Sequence, residues 1–163
     1  MSPRMRSAAI TAVLAAAMVS GLTLTAANAS VRSPAFSGRE VFKIVGRMPG
    51  PRHAAASAWG AFTDSGVFIR KDATLAFRRG RIVVRRHVRH TAYYGPDLST
   101  CRFKIVQTGS FVVTKATGRY RGLHDSGSFA TTVSARLSRT GPGRCGSKII
   151  AKRTVTREVG TAR

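Results

Sequence analysis

From Ser128 to Ser138 the chain reads SFATTVSARLS, and its character changes at every residue. Phe129, Thr131, Val133, Ala135 and Leu137 form one set; Ala130, Thr132, Ser134 and Arg136 form the other. A period of two is the mark of a strand with one face in a core and one in water. CRFKIVQ repeats the pattern, with Cys101, Phe103 and Ile105 inward against Arg102 and Lys104, and SFVVTK puts Phe111 and Val113 inward. VFKIVG and SKIIAKRTVTRE, less cleanly alternating, read as the first and last strands. Glycines recur at short intervals, with β-branched residues between them and no long helical pattern. Such spacing predicts an all-β sandwich or barrel.

RRGRIVVRRHVRH, residues 78–90, carries six arginines and two histidines. It belongs to a longer stretch, ATLAFRRGRIVVRRHV, with an alternating run on either side of Arg79-Gly80. A two-residue loop there pairs Arg78 with Arg81, Phe77 with Ile82 and Leu75 with Val84. Leu75, Phe77, Ile82 and Val84 then share the inner face, and that agreement across both strands supports the hairpin. Arg78, Arg81, Arg85, His87 and Arg89 fall on the other face with Val83. The basic run is therefore read as the solvent face of a strand. Arg78 opposite Arg81 is unfavourable by itself, and a row of like charge becomes useful where an anion lies on it.

The two ends of the chain carry other information. Arg4 and Arg6 precede Ser7–Ala26, twenty residues without a charge, and Ala27-Asn28-Ala29 follows. A basic start, an apolar run and a small-x-small site form a secretory signal peptide, residues 1–29. The run is weakly hydrophobic and ends at that site, which favours cleavage over a membrane anchor. A mature chain from Ser30 has 134 residues, enough for one core. Residues 30–57 read as a flexible lead-in, a first strand and a loop (RMPGPRHAAASA), and 58–163 as the rest of one domain. No segment of the mature chain is apolar enough to span a bilayer.

Cys101 and Cys145 are the two cysteines, and in an oxidising compartment they are expected to pair. Taking Arg4 and Arg6 from the 28 Lys and Arg leaves 26 against six acids, a mature charge of +20. A secreted chain so charged attracts polyanions such as an anionic cell-wall polymer.

The usual signatures of chemistry are missing. His87 and His90, three apart on a strand, point to opposite faces unless a bulge intervenes, and no metal site or cofactor is expected. Leu123-His124-Asp125-Ser126 lines up triad residue types, but triads assemble in space rather than along a chain, and Asp125-Ser126-Gly127 reads as a turn. Glu40, Asp64, Asp72, Asp97, Asp125 and Glu158 form no evident acid/base pair, and Asp64 and Asp72 read as turn residues. TGRYRG, Thr117–Gly122, interleaves Arg119 and Arg121 around Tyr120, a small version of a stacking and phosphate contact. It lacks the aromatic density of a nucleic-acid sheet, so no sequence-specific nucleic acid is expected. No residue is assigned a catalytic role.

Thr108–Leu137, TGSFVVTKATGRYRGLHDSGSFATTVSARL, resembles the late hairpin of the dirigent and allene oxide cyclase barrels. With GAFTDSG (Gly60–Gly66) and STCRFKIVQTGSF (Ser99–Phe111), the chain is more similar still to secreted actinobacterial β-barrel proteins. The resemblance implies a closed antiparallel barrel of about eight strands. It makes Thr117, Gly118, Arg119, Tyr120 and Gly122 fold-forming residues in a turn over one end. The plant barrels hold polar and charged groups in an apolar cavity, and no acid of this chain is matched to those groups. Fold alone does not set function. The expectation is a non-enzymatic binding protein, with Arg78, Arg81, Arg85, His87, Arg89, Arg119 and Arg121 facing an anionic polymer, or a small apolar ligand inside the barrel. The alternative is a cyclase- or dirigent-like enzyme, which a buried acid lining a cavity would support.

Overall fold

The computed structural model describes residues 36–163. The expected leader, 1–29, and the start of the lead-in lie outside the described residues. Eight antiparallel strands follow: β1 (Gly38–Met48), β2 (Ala54–Gly60), β3 (Asp64–Ile69), β4 (Thr74–Phe77), β5 (Gly80–Asp97), β6 (Arg102–Ala116), β7 (Asp125–Gly141) and β8 (Arg144–Ala162). Each pairs with the next, and β8 pairs with β1 from Gly38–Ala162 to Met48–Lys152, so the sheet is a closed ring. β1 closes the ring with one residue set facing the core, although Val41 on its other face is buried as well. Glu40, Phe42 and Ile44 are buried, while Arg39, Lys43 and Arg47 are exposed.

Two readings of the amino-terminal region change. Phe36 is part of the core and Glu40 is fully buried, so this part of the lead-in is packed structure. The expected loop over 47–58 shrinks, because Ala54–Ala58 belong to β2 and put Ala56 and Ala58 into the core.

The ring is lopsided. β2, β3 and β4 have 7, 6 and 4 residues, whereas β5 to β8 have 15 to 19. The apolar core lies at the end where all eight strands are present. The Phe62 ring lies tilted 4.8 Å from Tyr120 and edge-on to Phe77, with Phe36 beside them. Tyr120 sits in a single 3-10 turn, Gly118–Tyr120, and is 2% exposed. That burial overturns its reading as a stacking ring for a ligand. Two glycine–aromatic cross-strand pairs fill the middle of the wall, Phe111–Gly127 and Gly109–Phe129. A Cβ on Gly109 would lie 2.9 Å from the Phe129 ring, so the ring needs the glycine.

At the other end the four long strands run on. Phe103, Ile105 and Leu137, expected inside, are only half-buried there. The β5–β6 turn is joined to the start of β8 by the Cys101–Cys145 disulfide, with Cα atoms 5.4 Å apart.

Candidate functional site

The hairpin of residues 74–84 keeps its predicted faces but not its register. Phe77 pairs with Gly80, Leu75 with Ile82 and Ala76 with Arg81, so Arg78-Arg79 form the loop. Arg78 therefore does not oppose Arg81, and the expected like-charge cross-strand pair does not form. The reason is tertiary. The Thr117–Arg121 turn lies on Gly80, where a Cβ would collide with the Thr117 carbonyl and stand 3.0 Å from the Tyr120 ring. Hydrogen bonds from Thr117 N–H to Arg81 O and from Arg119 N–H to Arg79 O fix the contact. This joins Arg119 to the Arg78–Arg81 corner.

Arg81, Arg85, His87 and Arg89 run on along β5, all exposed, and Arg121 is exposed beyond the turn. Arg81, Arg85 and His87 face Ala76, Val112 and Ser110 across the ladders, neutral partners that leave the row unfrustrated. A bulge between Val88 and His90 puts His87 opposite Ser110 and His90 opposite Thr108. The two imidazoles thus share a face, contrary to simple alternation. Among the described residues no His, Cys, Asp or Glu joins them in a group of three or more.

The acids hold the larger surprise. Glu40 and Glu158 are fully buried, Asp125 is 3% exposed and Asp64 7% exposed. Asp125 opens β7 and Asp64 opens β3, so neither is a turn residue as expected; Asp72 does lie in a turn. Closure puts Glu40 opposite Gly160 and Asp125 opposite Ala162 on the same face of β8, with Glu158 next in phase. A Cβ on Gly160 would strike the Asp125 carboxylate. Burial pushes Glu40 up to about 8, against a 3.2 Å hydrogen bond from Phe62 N–H and with the Asp125 charge adding to it. Burial likewise pushes Asp125 up to about 6 and raises Glu158. Glu158 accepts a 2.5 Å ionic hydrogen bond from Arg86 Nε. The Arg86 guanidinium also lies 4.9 Å from the Phe68 ring centroid. One arginine of the basic run therefore points inward.

Asp64 behaves differently. Its burial would raise it, but hydrogen bonds from the Tyr120 hydroxyl and Ser65 N–H, with Arg78 nearby, hold it below the usual carboxylate range. It anchors the covering turn to β3.

A cleft of about 870 Å³ lies on the extension of the long strands. It follows adjacent cross-strand rows. One runs Tyr94–Lys104–Ser134–Arg153–Arg47 across five strands, and another runs Arg102–Arg136–Ala151. Phe103, Ala135 and Lys152 form the row between them. Ala135 shares the parity of core Phe129, so Ser134 and Arg136 point away from the interior. Small Ser134 and Ala151 leave a floor between long cations. Asp97 is the acid at the rim. Its carboxylate is occupied by the hydroxyls of Ser99 and Thr100, at 2.6 and 2.9 Å, which hold it below the usual range.

Period-two reading contained the signal for the buried charges. Arg86 is in phase with Ile82 and Val84, and Glu40 with Phe42 and Ile44. The cleft left no such trace, because its residues come from five strands. Comparison with models of protein families, with curated proteins and with solved structures finds no match.

Proposed function

We propose that this protein is a secreted, cationic binding barrel whose outer surface engages an anionic polymer. One observation carries the reading: the fold withdraws four of its six acids, Glu40, Asp64, Asp125 and Glu158, into the interior. Asp72 and Asp97 alone stay exposed, against a chain with 28 Lys and Arg. Among the described residues only Arg78 and Arg86 make ion pairs, so the remaining surface cations are free for a ligand. The disulfide fits an oxidising compartment. No helix of the described residues is long and apolar enough to cross a membrane.

The test is elution of the disulfide-bonded protein from immobilised heparin across a salt series. A steep fall in log affinity with log salt counts the phosphate- or sulfate-like contacts. A protein that passes through at low salt refutes the reading. An Arg81→Gln/Arg85→Gln/Arg89→Gln variant that elutes with the wild type removes the β5 row from the site.

A second reading, a cyclase- or dirigent-like barrel acting on a small apolar molecule, rests on Glu40 and Asp125. Both are interior carboxyls with raised proton affinity, and oxygens on each lack a hydrogen-bond partner. Such groups suit proton transfer. Binding of an apolar fluorescent probe that Asp125→Asn abolishes, without loss of folding, would favour it over surface binding.

A further inference from the structure

We infer that the cleft on the long-strand extension is the seat of the polyanion, and that its ligand is a phosphodiester or polyphosphate chain without aromatic rings. The inference rests on the polymer-binding reading above and assigns it a site distinct from the Arg81–Arg89 row.

Three observations point there. First, five cations share the outward face of the cleft, Arg47, Arg102, Lys104, Arg136 and Arg153, and none makes an ion pair among the described residues. Second, the cleft holds two of the like-charge cross-strand pairs, Arg102–Arg136 and Arg47–Arg153. Lys43–Arg157 is another, outside it. Directly opposed like charges destabilise a sheet, and an anion lying between them reverses the sign. The β5 row has neutral partners and no such tension to relieve. Third, neighbouring strands stand about 4.8 Å apart and same-face positions along a strand about 6.8 Å apart. Successive cations thus reach successive anions of one extended chain.

The chemistry of the lining selects the ligand. Four of the five cations are arginines, whose planar forks meet phosphate oxygens two at a time. The floor of Ser134 and Ala151 offers no aromatic face for a base to stack on. Tyr94 is the aromatic side chain on the cationic rows, and Lys104 Nζ already lies 5.6 Å from its ring centroid. A ring-free chain suits this trough better than single-stranded nucleic acid, whose bases need open aromatic faces.

The experiment compares fluorescently labelled inorganic polyphosphate with labelled oligodeoxythymidylate, by anisotropy, on the full disulfide-bonded protein. An Arg102→Gln/Arg136→Gln/Arg153→Gln variant is set beside the Arg81→Gln/Arg85→Gln/Arg89→Gln variant, which removes the same net charge. The cleft variant is expected to lose at least about tenfold in polyphosphate affinity and about three units of salt slope. The β5 variant should lose about two- to threefold through net charge alone. The cleft variant should also melt at or above the wild-type temperature, since both like-charge pairs are gone, which separates lost contacts from lost folding. Equal losses in the two variants, or wild-type affinity in the cleft variant, overturn the site. Oligodeoxythymidylate binding as tightly as polyphosphate overturns the ligand class. A wild type that binds neither probe overturns the parent reading with it.

Discussion

Arg86 and Glu158 form the central ion pair of the interior, and their neighbours set what each is worth. Glu158 is fully buried, the Arg86 side chain is 21% exposed, and Glu158 Oε2 has no partner. Removing one member of such a pair leaves a charge stranded in the core. Arg86→Met is therefore expected to cost about 3–5 kcal/mol near neutral pH, whereas Arg86→Met with Glu158→Met restores most of it. Urea denaturation of the two variants checks this; a single variant as stable as the double would place Glu158 in contact with water. Glu40 makes the interior sensitive to pH. Its folded pKa of about 8 stands above the ordinary 4.5, so its contribution is full below about 4.5 and is lost as pH rises through about 8. Asp125 adds the same sign up to about 6. Asp64, held low, acts oppositely and loses its contribution as the solution becomes strongly acidic. Stability should thus peak in mildly acidic solution and fall by a few kcal/mol, order of magnitude, toward pH 8. Glu40→Gln should flatten that fall, as melting temperature against pH would show.

The elements divide the labour of holding the ring. β1 and β8 close it through eleven consecutive pairs, while β2 to β4 form a short wall over the aromatic core. The long strands carry their charged end well beyond that core. There the disulfide replaces apolar packing: Cys101 accepts a hydrogen bond from Leu137 N–H of β7, and Cys145 pairs with Arg139 of the same strand. The bridge spans 44 positions of sequence and is worth about 4 kcal/mol in the chain-entropy picture. Cys101→Ser/Cys145→Ser should lose stability of that order. It should also raise amide exchange at the far ends of β7 and β8 before it affects Phe111 or Phe129. Uniform exchange changes would show that the extension and the core unfold as one unit. The pairing was legible because a chain with two cysteines has one way to pair them within itself. The hairpin loop, Arg78-Arg79, lies one residue before the place the local pattern gives it, because Gly80 reads as a turn glycine. In fact it is the glycine on which the Thr117–Arg121 turn lies.

At the scale of the molecule, a formal charge of +22 repels itself, and burying four acids shifts the remaining imbalance to the surface. The Debye length falls from about 30 Å at 0.01 M salt to about 8 Å at 0.15 M. Over that range of sodium chloride the melting temperature should rise, because screening relieves pairs such as Arg102–Arg136 and Lys43–Arg157. A flat or falling curve would mean that these side chains already splay far enough apart to ignore one another.

By itself the sequence determined the strand character of the chain, the partner of each cysteine, the surplus of arginine and which residues of a given strand share a face. Ser128–Ser138 shows why: a period of two is a local property of the backbone, which holds until a bulge against the neighbouring strand shifts it, as between Val88 and His90. Tertiary structure decided which charges are hidden and which converge. Glu40 meets the far end of β8 only because strands more than a hundred residues apart are hydrogen-bonded neighbours. Arg47, Lys104 and Arg153 meet in one cleft for the same reason. Strand order and register across a closing sheet depend on long-range pairing, and no local pattern carries that information.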